Sequence, residues 1–150
     1  PISASNIQAV HLACMFGNLE VLRILYFKFQ ADFGQRTTKG LVALHIAAQF
    51  REGIVAVYFL KDADKYFNAN IEDYNGATPL HYAVMALEES NIQALLSLGA
   101  DINFQDKLGD SLLHVAVSRF LDDQWNFGIF KEIIKEMLQL GANRGIKNNV

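Results

Sequence analysis

The residues in this chain best equipped for chemistry are four histidines, one cysteine and an adjacent pair of acids. Histidines can ligate a metal or relay protons, and a cysteine three residues after a histidine on one helix face can be activated as a nucleophile. The spacing argues against both uses. All four histidines sit in one local pattern: Ala9-Val10-His11-Leu12-Ala13, Ala43-Leu44-His45-Ile46-Ala47, Pro79-Leu80-His81-Tyr82-Ala83 and Leu112-Leu113-His114-Val115-Ala116. They are separated by 34, 36 and 33 residues, and none falls outside the register. A repeated framework position explains this better than a site does. Cys14 follows His11 by three residues, but no third group to orient the pair is evident. Asp122-Asp123 reads as a solvated pair, and the chain holds no Gly-rich phosphate loop, no HExxH and no paired-cysteine motif. No cofactor or metal is therefore expected.

The elements that carry the histidines follow from the same register. A glycine lies five residues before three of them (Gly40, Gly76 and Gly109), with Asn6 in that place in the first unit. Eighteen residues after His81 comes Gly99-Ala100-Asp101-Ile102-Asn103, followed by Asp106; Gly141-Ala142-Asn143 and Gln30-Ala31-Asp32 are related closures. Between these markers run two apolar stretches at helical spacing, such as Leu80, Ala83, Val84 and Leu87, then Ile92, Leu95, Leu96 and Leu98. Each unit reads as turn, short helix, short helix. The glycines before the histidines fit turns that need a positive φ, and Gly99 fits the end of a helix. Thr78-Pro79 starts a helix, with Thr capping and Pro in the first turn. Ala13, Ala47, Ala83 and Ala116 let neighbouring helices approach, and the leucines and isoleucines of the second helices are expected to bury against adjacent units. Equivalent histidines in such a stack stand roughly 8–10 Å apart. One zinc ion, with ligands at about 2.0–2.1 Å, cannot join two of them.

This pattern resembles the ankyrin repeat. Asn75-Gly76-Ala77-Thr78-Pro79-Leu80-His81-Tyr82-Ala83 carries most of the family signature, and Leu98-Gly99-Ala100-Asp101-Ile102-Asn103 carries its other half. The resemblance implies an all-α ankyrin-repeat solenoid of stacked helix–turn–helix units with β-hairpin-like turns. Its repeats fall at about 3–36, 37–72, 73–105 and 106–147. It also implies that each histidine hydrogen-bonds the backbone of neighbouring turns. The first two units depart from the pattern, with Gln8-Ala9-Val10 and Val42-Ala43-Leu44 where the family prefers Thr-Pro-Leu. The fourth is lengthened near 120–128, expected to be a loop between its helices around Trp125, Phe127 and Phe130. That loop either binds a partner or packs over the solenoid. The chain begins with Pro, and its last unit is less polar than a capping repeat, which reads as an excerpt of a longer array or multidomain protein.

Ankyrin arrays bind partners with turn tips and the exposed side of each first helix. Transferred to this sequence, that concave face takes Ile7, Met15 and Phe16 from the first unit, and Lys39, Leu41, Gln49 and Phe50 from the second. The third contributes Tyr74, Asn75, Ala77 and Met85, and the fourth Lys107, Leu108, Asp110, Ser118 and Arg119. Trp125 is a further candidate. Aromatic residues, Met and Arg are the types enriched where binding energy concentrates. The competing reading folds some of these aromatics into the core. Asn103 stands where some animal ankyrin proteins are hydroxylated, although its commoner role is to stabilise the turn.

Composition limits the rest. With 51% hydrophobic residues and a net charge of −3, the chain is a folded domain rather than a disordered segment. The acidic balance and the absence of a basic stripe argue against nucleic-acid binding. The longest run without charged residues, 1–19, is too polar to span a bilayer and lacks a basic start. A single cysteine favours a reducing compartment, the cytoplasm or nucleus. The expected function is a non-catalytic, monomeric module that binds another protein. The alternative is a regulatory or substrate-recruiting domain of a larger enzyme, channel or bacterial effector.

Overall fold

In a computed structural model, residues 8–65, 67–122 and 127–149 are described, excepting the side chain of Asp122. Among them the chain forms helices in consecutive pairs. α1 (Ala9–Phe16) is followed by α2 (Leu19–Arg23), which runs on as a π-helical turn over Ile24–Lys28. α3 (Ala43–Ala48) leads through a 3-10 turn at Arg51–Gly53 into α4 (Ile54–Ala63). α5 (Pro79–Met85) pairs with α6 (Glu89–Ser97), and α7 (Leu112–Asp122) with α8 (Phe127–Gln139). The first helices pack side by side in the order α1, α3, α5, α7, with α2, α4 and α6 forming a second row and α8 against α7. Helices this short are unstable alone, so the stack exists through burial between units.

α3 shows how completely that burial acts: every residue from Ala43 to Ala48 is buried. Alanines at 47, 83 and 116 are fully inaccessible, which leaves room for helix backbones to approach. Leu80, Ile92, Leu95, Ile133 and Met137 fill the space between the two rows.

Two expectations need correction. In the first unit only Leu22 of the second helix is buried; Leu19, Val21 and Ile24 are exposed, because α2 meets a neighbouring unit on one side only among the described residues. The segment 120–128 is not a free loop at either end. Phe120–Asp122 complete α7 and Phe127–Gly128 begin α8. Phe120 stacks on Phe130 with centroids 4.5 Å apart and lies 5.8 Å from Phe127, so aromatic packing joins the lengthened helices. Phe130 is half-buried and Phe127 exposed, whereas Asp123 and Trp125 lie outside the described residues. No described helix is long and apolar enough to cross a membrane.

Candidate interaction surface

The histidines build the frame on which the surface rests. In each unit the histidine occupies the third helical position and its Nδ1 accepts the N–H of the residue before the helix: Gln8 at 3.0 Å, Val42 at 3.1 Å, Thr78 at 3.1 Å and Ser111 at 3.1 Å. This completes the helix cap even at Val42, which has no side-chain acceptor of its own. With Nδ1 accepting, the proton resides on Nε2, which donates onward. His11 reaches the Gln35 carbonyl at 3.0 Å, His45 that of Ala77 at 3.0 Å, and His81 that of Asp110 at 3.3 Å. A buried imidazole thus joins its own helix to the neighbouring turn. Burial holds the His45 pKa down to about 4, against the opposing pull of the Ala77 hydrogen bond, and burial likewise lowers His81. Cys14 is fully buried, and desolvation pushes its thiol up to about 12, so it is a packing residue with no nucleophilic character.

Successive turns form a linked row. Within each, two main-chain bonds close a tight hairpin, as in Thr37 N–H to Leu41 O at 2.9 Å and Gly40 N–H to Thr37 O at 2.9 Å. Asp73 and Asp106 brace the next two from inside, each Oδ1 accepting two amides of its own turn at 2.8–2.9 Å. The Tyr82 hydroxyl donates to Asp73 Oδ2. Neighbouring tips are tied by Tyr74 N–H to Lys39 O at 3.2 Å, Lys107 N–H to Asn75 O at 2.9 Å and Asn149 N–H to Leu108 O at 2.8 Å. These are the β-hairpin-like turns of the sequence reading, without a strand among the described residues. Glycine is required where tips meet: at Gly40, φ is +83° and a Cβ would lie 2.5 Å from the Tyr74 ring.

The turns and the ends of the first helices bring most of the sequence candidates to the surface. Phe16 is 69% exposed, Leu108 62%, Tyr74 56%, Met85 46% and Phe50 37%. Lys39, Asn75, Lys107 and Ser118 are exposed too, and Met15 is half-buried. Others serve the frame. Gln49 is half-buried and donates to the His45 carbonyl at 3.1 Å, and Asp110 accepts from Asn148 Nδ2 at 2.9 Å. Arg119 donates from Nε to the Met85 carbonyl at 3.0 Å, crossing from the fourth unit to the third. Ala77 is half-buried, its carbonyl engaged by His45. Leu41 does not line a groove as expected. It is only 7% exposed, because it begins the buried run into α3 and its amide is held by Thr37. Ile7 and Trp125 lie outside the described residues.

Three contributors were not foreseen. Asn91, fully buried in α6, donates to the carbonyls of Ala47, Ala48 and Phe50, and so fixes the chain where Phe50 emerges from α3. Arg36 donates to the Gly40 and Glu72 carbonyls and lies over the Tyr74 ring, 5.9 Å from its centroid. Gln105 makes the same pair of bonds as Arg36 two turns on, to the Gly109 and Lys147 carbonyls, but the change of residue type hid the equivalence from a search for repeated residues. The third is an apolar cleft of about 420 Å³ on the second-helix row, lined by Leu19, Phe27, Val55, Tyr58 and Phe59. Asn103, for its part, bridges units: its side chain donates to the Gly141 carbonyl and accepts the Asn143 amide.

A stack of helix pairs, capped by histidine and linked through tight turns, defines a repeat solenoid. The ankyrin-repeat model (3 copies) matches residues 10–106, and the chain belongs to that family. Mouse B-cell lymphoma 3 protein homolog is 30% identical over 145 residues, covering 93% of this chain and 30% of its own length. The Drosophila melanogaster NF-kappa-B inhibitor cactus is 31% identical over 142 residues, 92% of this chain and 26% of its own. The probable 26S proteasome regulatory subunit p28 of Saccharomyces cerevisiae is 32% identical over 101 residues, 66% and 43% respectively. The chain thus spans less than half the length of these curated relatives. The first two alignments extend over the fourth unit, which the family model leaves unmatched. The chain is an ankyrin-repeat protein-interaction module, built on a family scaffold that is itself non-catalytic.

Proposed function

We propose that this module binds a protein partner through its turn tips, the exposed ends of α1 and α5, and Phe50 just beyond α3. The observation that carries this reading is the exposure of Phe16, Phe50, Tyr74, Met85 and Leu108 on a frame whose interior is otherwise closely packed. A soluble face that leaves large apolar side chains uncovered in neighbouring units gains free energy when a partner covers them. Their type matches the anchors that dominate interface energies. The relatives support the reading, since cactus bears the name of an NF-kappa-B inhibitor. The module acts as a single-chain domain inside the cell, takes no nucleic acid and carries no reaction of its own.

The test is affinity capture from cell lysate with the parent chain beside a Phe50→Arg, Tyr74→Arg double variant of matched thermal stability. A partner retained by the parent and released by the variant is the expected result. Equal retention by both moves the site to the 120–128 segment or to the second-helix row.

A further inference from the structure

We propose that the tip row selects an acidic, extended peptide segment carrying apolar anchor residues. This deepens the concave-face reading and rests on it. Lys39 and Lys107 occupy two tips, both exposed, with Tyr74 and Asn75 on the tip between them. The hydrogen bonds from Tyr74 to Lys39 and from Lys107 to Asn75 fix that order. Neither lysine is in an ion pair among the described residues. The acids of the same turns are withdrawn. Asp73 is only 5% exposed, and Asp73 and Asp106 each commit one carboxylate oxygen to the amides of their own turn. Asp110 is half-buried and accepts from Asn148. Arg36 adds a guanidinium over the Tyr74 ring, anchored by the carbonyls of Gly40 and Glu72.

A chain with a net charge of −3 therefore presents cations at its turn tips while the acids within those turns are buried or half-buried, Glu72 beside them being exposed. The Tyr74 ring lies on the tip between the two lysines and Leu108 beside Lys107, with Phe50 and Met85 near the adjoining helix ends. A polyphosphate or nucleic acid would use the cations and leave the apolar surface uncovered; a peptide alternating carboxylates with aromatic or aliphatic side chains uses both. Exposed ion pairs add little affinity, so the lysines set selectivity and association rate while the apolar anchors hold the segment.

A random-peptide library displayed on phage and selected on the parent chain supplies the probe. The expected sequences are net acidic with at least one aromatic or large aliphatic residue. Synthetic versions, followed by fluorescence polarisation, should bind a Lys39→Glu, Lys107→Glu variant about tenfold or more weakly and weaken as salt is raised. Both lysines are exposed, so circular dichroism and melting should match the parent. Neutral or basic selected peptides, or equal affinity for the variant, would overturn the proposal. If that happens while Phe50→Arg still releases the captured partner, the groove reading stands and the acidic preference alone fails. If the selected peptides ignore both sets of substitutions, both fall.

Discussion

His81 and His114 occupy the same place in the same motif, yet they live in different surroundings. His81 is sealed between α5 and the following turn, with both ring nitrogens engaged. His114 uses Nδ1 in the same way, taking the Ser111 amide at 3.1 Å and its hydroxyl at 2.9 Å. Its Nε2 has no partner among the described residues, and the ring borders a cleft of about 580 Å³ with Leu113, Val117, Leu121, Ile134 and Leu138. His45 belongs with His81. The comparison separates two jobs that one histidine performs. Capping its own helix is local and survives at the last unit. Joining one unit to the next needs a neighbour, and that neighbour completes the burial, since His114 without one stays half-buried.

The largest break in this comparison should come from deleting the rings themselves. His45→Ala leaves the Val42 amide and the Ala77 carbonyl without their partner in a buried setting, at about 3 kcal/mol. His114→Ala should cost about 1 kcal/mol, since only the cap is lost. Urea unfolding of the two variants measures the gap, and equal losses would mean that the link between units contributes nothing.

Acid sharpens the same contrast. Because burial lowers His45 to about 4 while an unfolded histidine titrates near 6.5, the unfolded chain binds the extra proton first. The stabilisation is fully present above about pH 6.5 and is lost as pH falls toward 4, by about 3 kcal/mol for this residue. His81, shifted in the same direction, adds to the slope. Unfolding measured across that range should show the decline, and His45→Ala should flatten it. Stability unchanged from pH 7 to pH 4 would contradict the buried neutral rings.

Smaller effects are expected at the tips. Gly76→Ala should cost about 1–2 kcal/mol, since φ is +75° and a Cβ would meet the Lys107 amide nitrogen at 2.9 Å. Gly99→Ala should cost less, because its φ of +98° is strained for alanine but nothing lies within 4 Å. At the bottom of the scale, Tyr74→Arg should change stability by about 0.5 kcal/mol or less, as expected for an exposed side chain. A larger loss by thermal melting would show that Tyr74 is part of the frame.

Much of the fold was legible because the sequence repeats it. One histidine and one alanine per unit, and a turn glycine in three of the four, are demanded by the same backbone geometry each time, so periodicity located them. The chain departs from that reading where a residue answers to something non-periodic. Leu41 looked like a tip residue by register but is buried, because it begins the buried run into α3. Leu19 and Ile24 belong to the leucines and isoleucines read as core but are exposed, because among the described residues the first unit meets a neighbour on one side only. The apparent loop near 120–128 is shortened by helices whose ends are joined through Phe120 and Phe130, a pairing that no local pattern announces. Asn91 acts through carbonyls more than forty residues earlier in the chain, which no local spacing announces, and the role of Arg36 recurs at Gln105 under a different residue type.

The central claim is that the tips and first-helix ends form the working surface. Hydrogen–deuterium exchange of the chain alone and saturated with its captured partner tests it most directly. The account predicts slowed exchange at 38–41, 49–51, 74–77, 85–87 and 107–110, with α4, α6 and α8 unchanged. Protection confined to the second helices, with the tips exchanging as in the free chain, would contradict it.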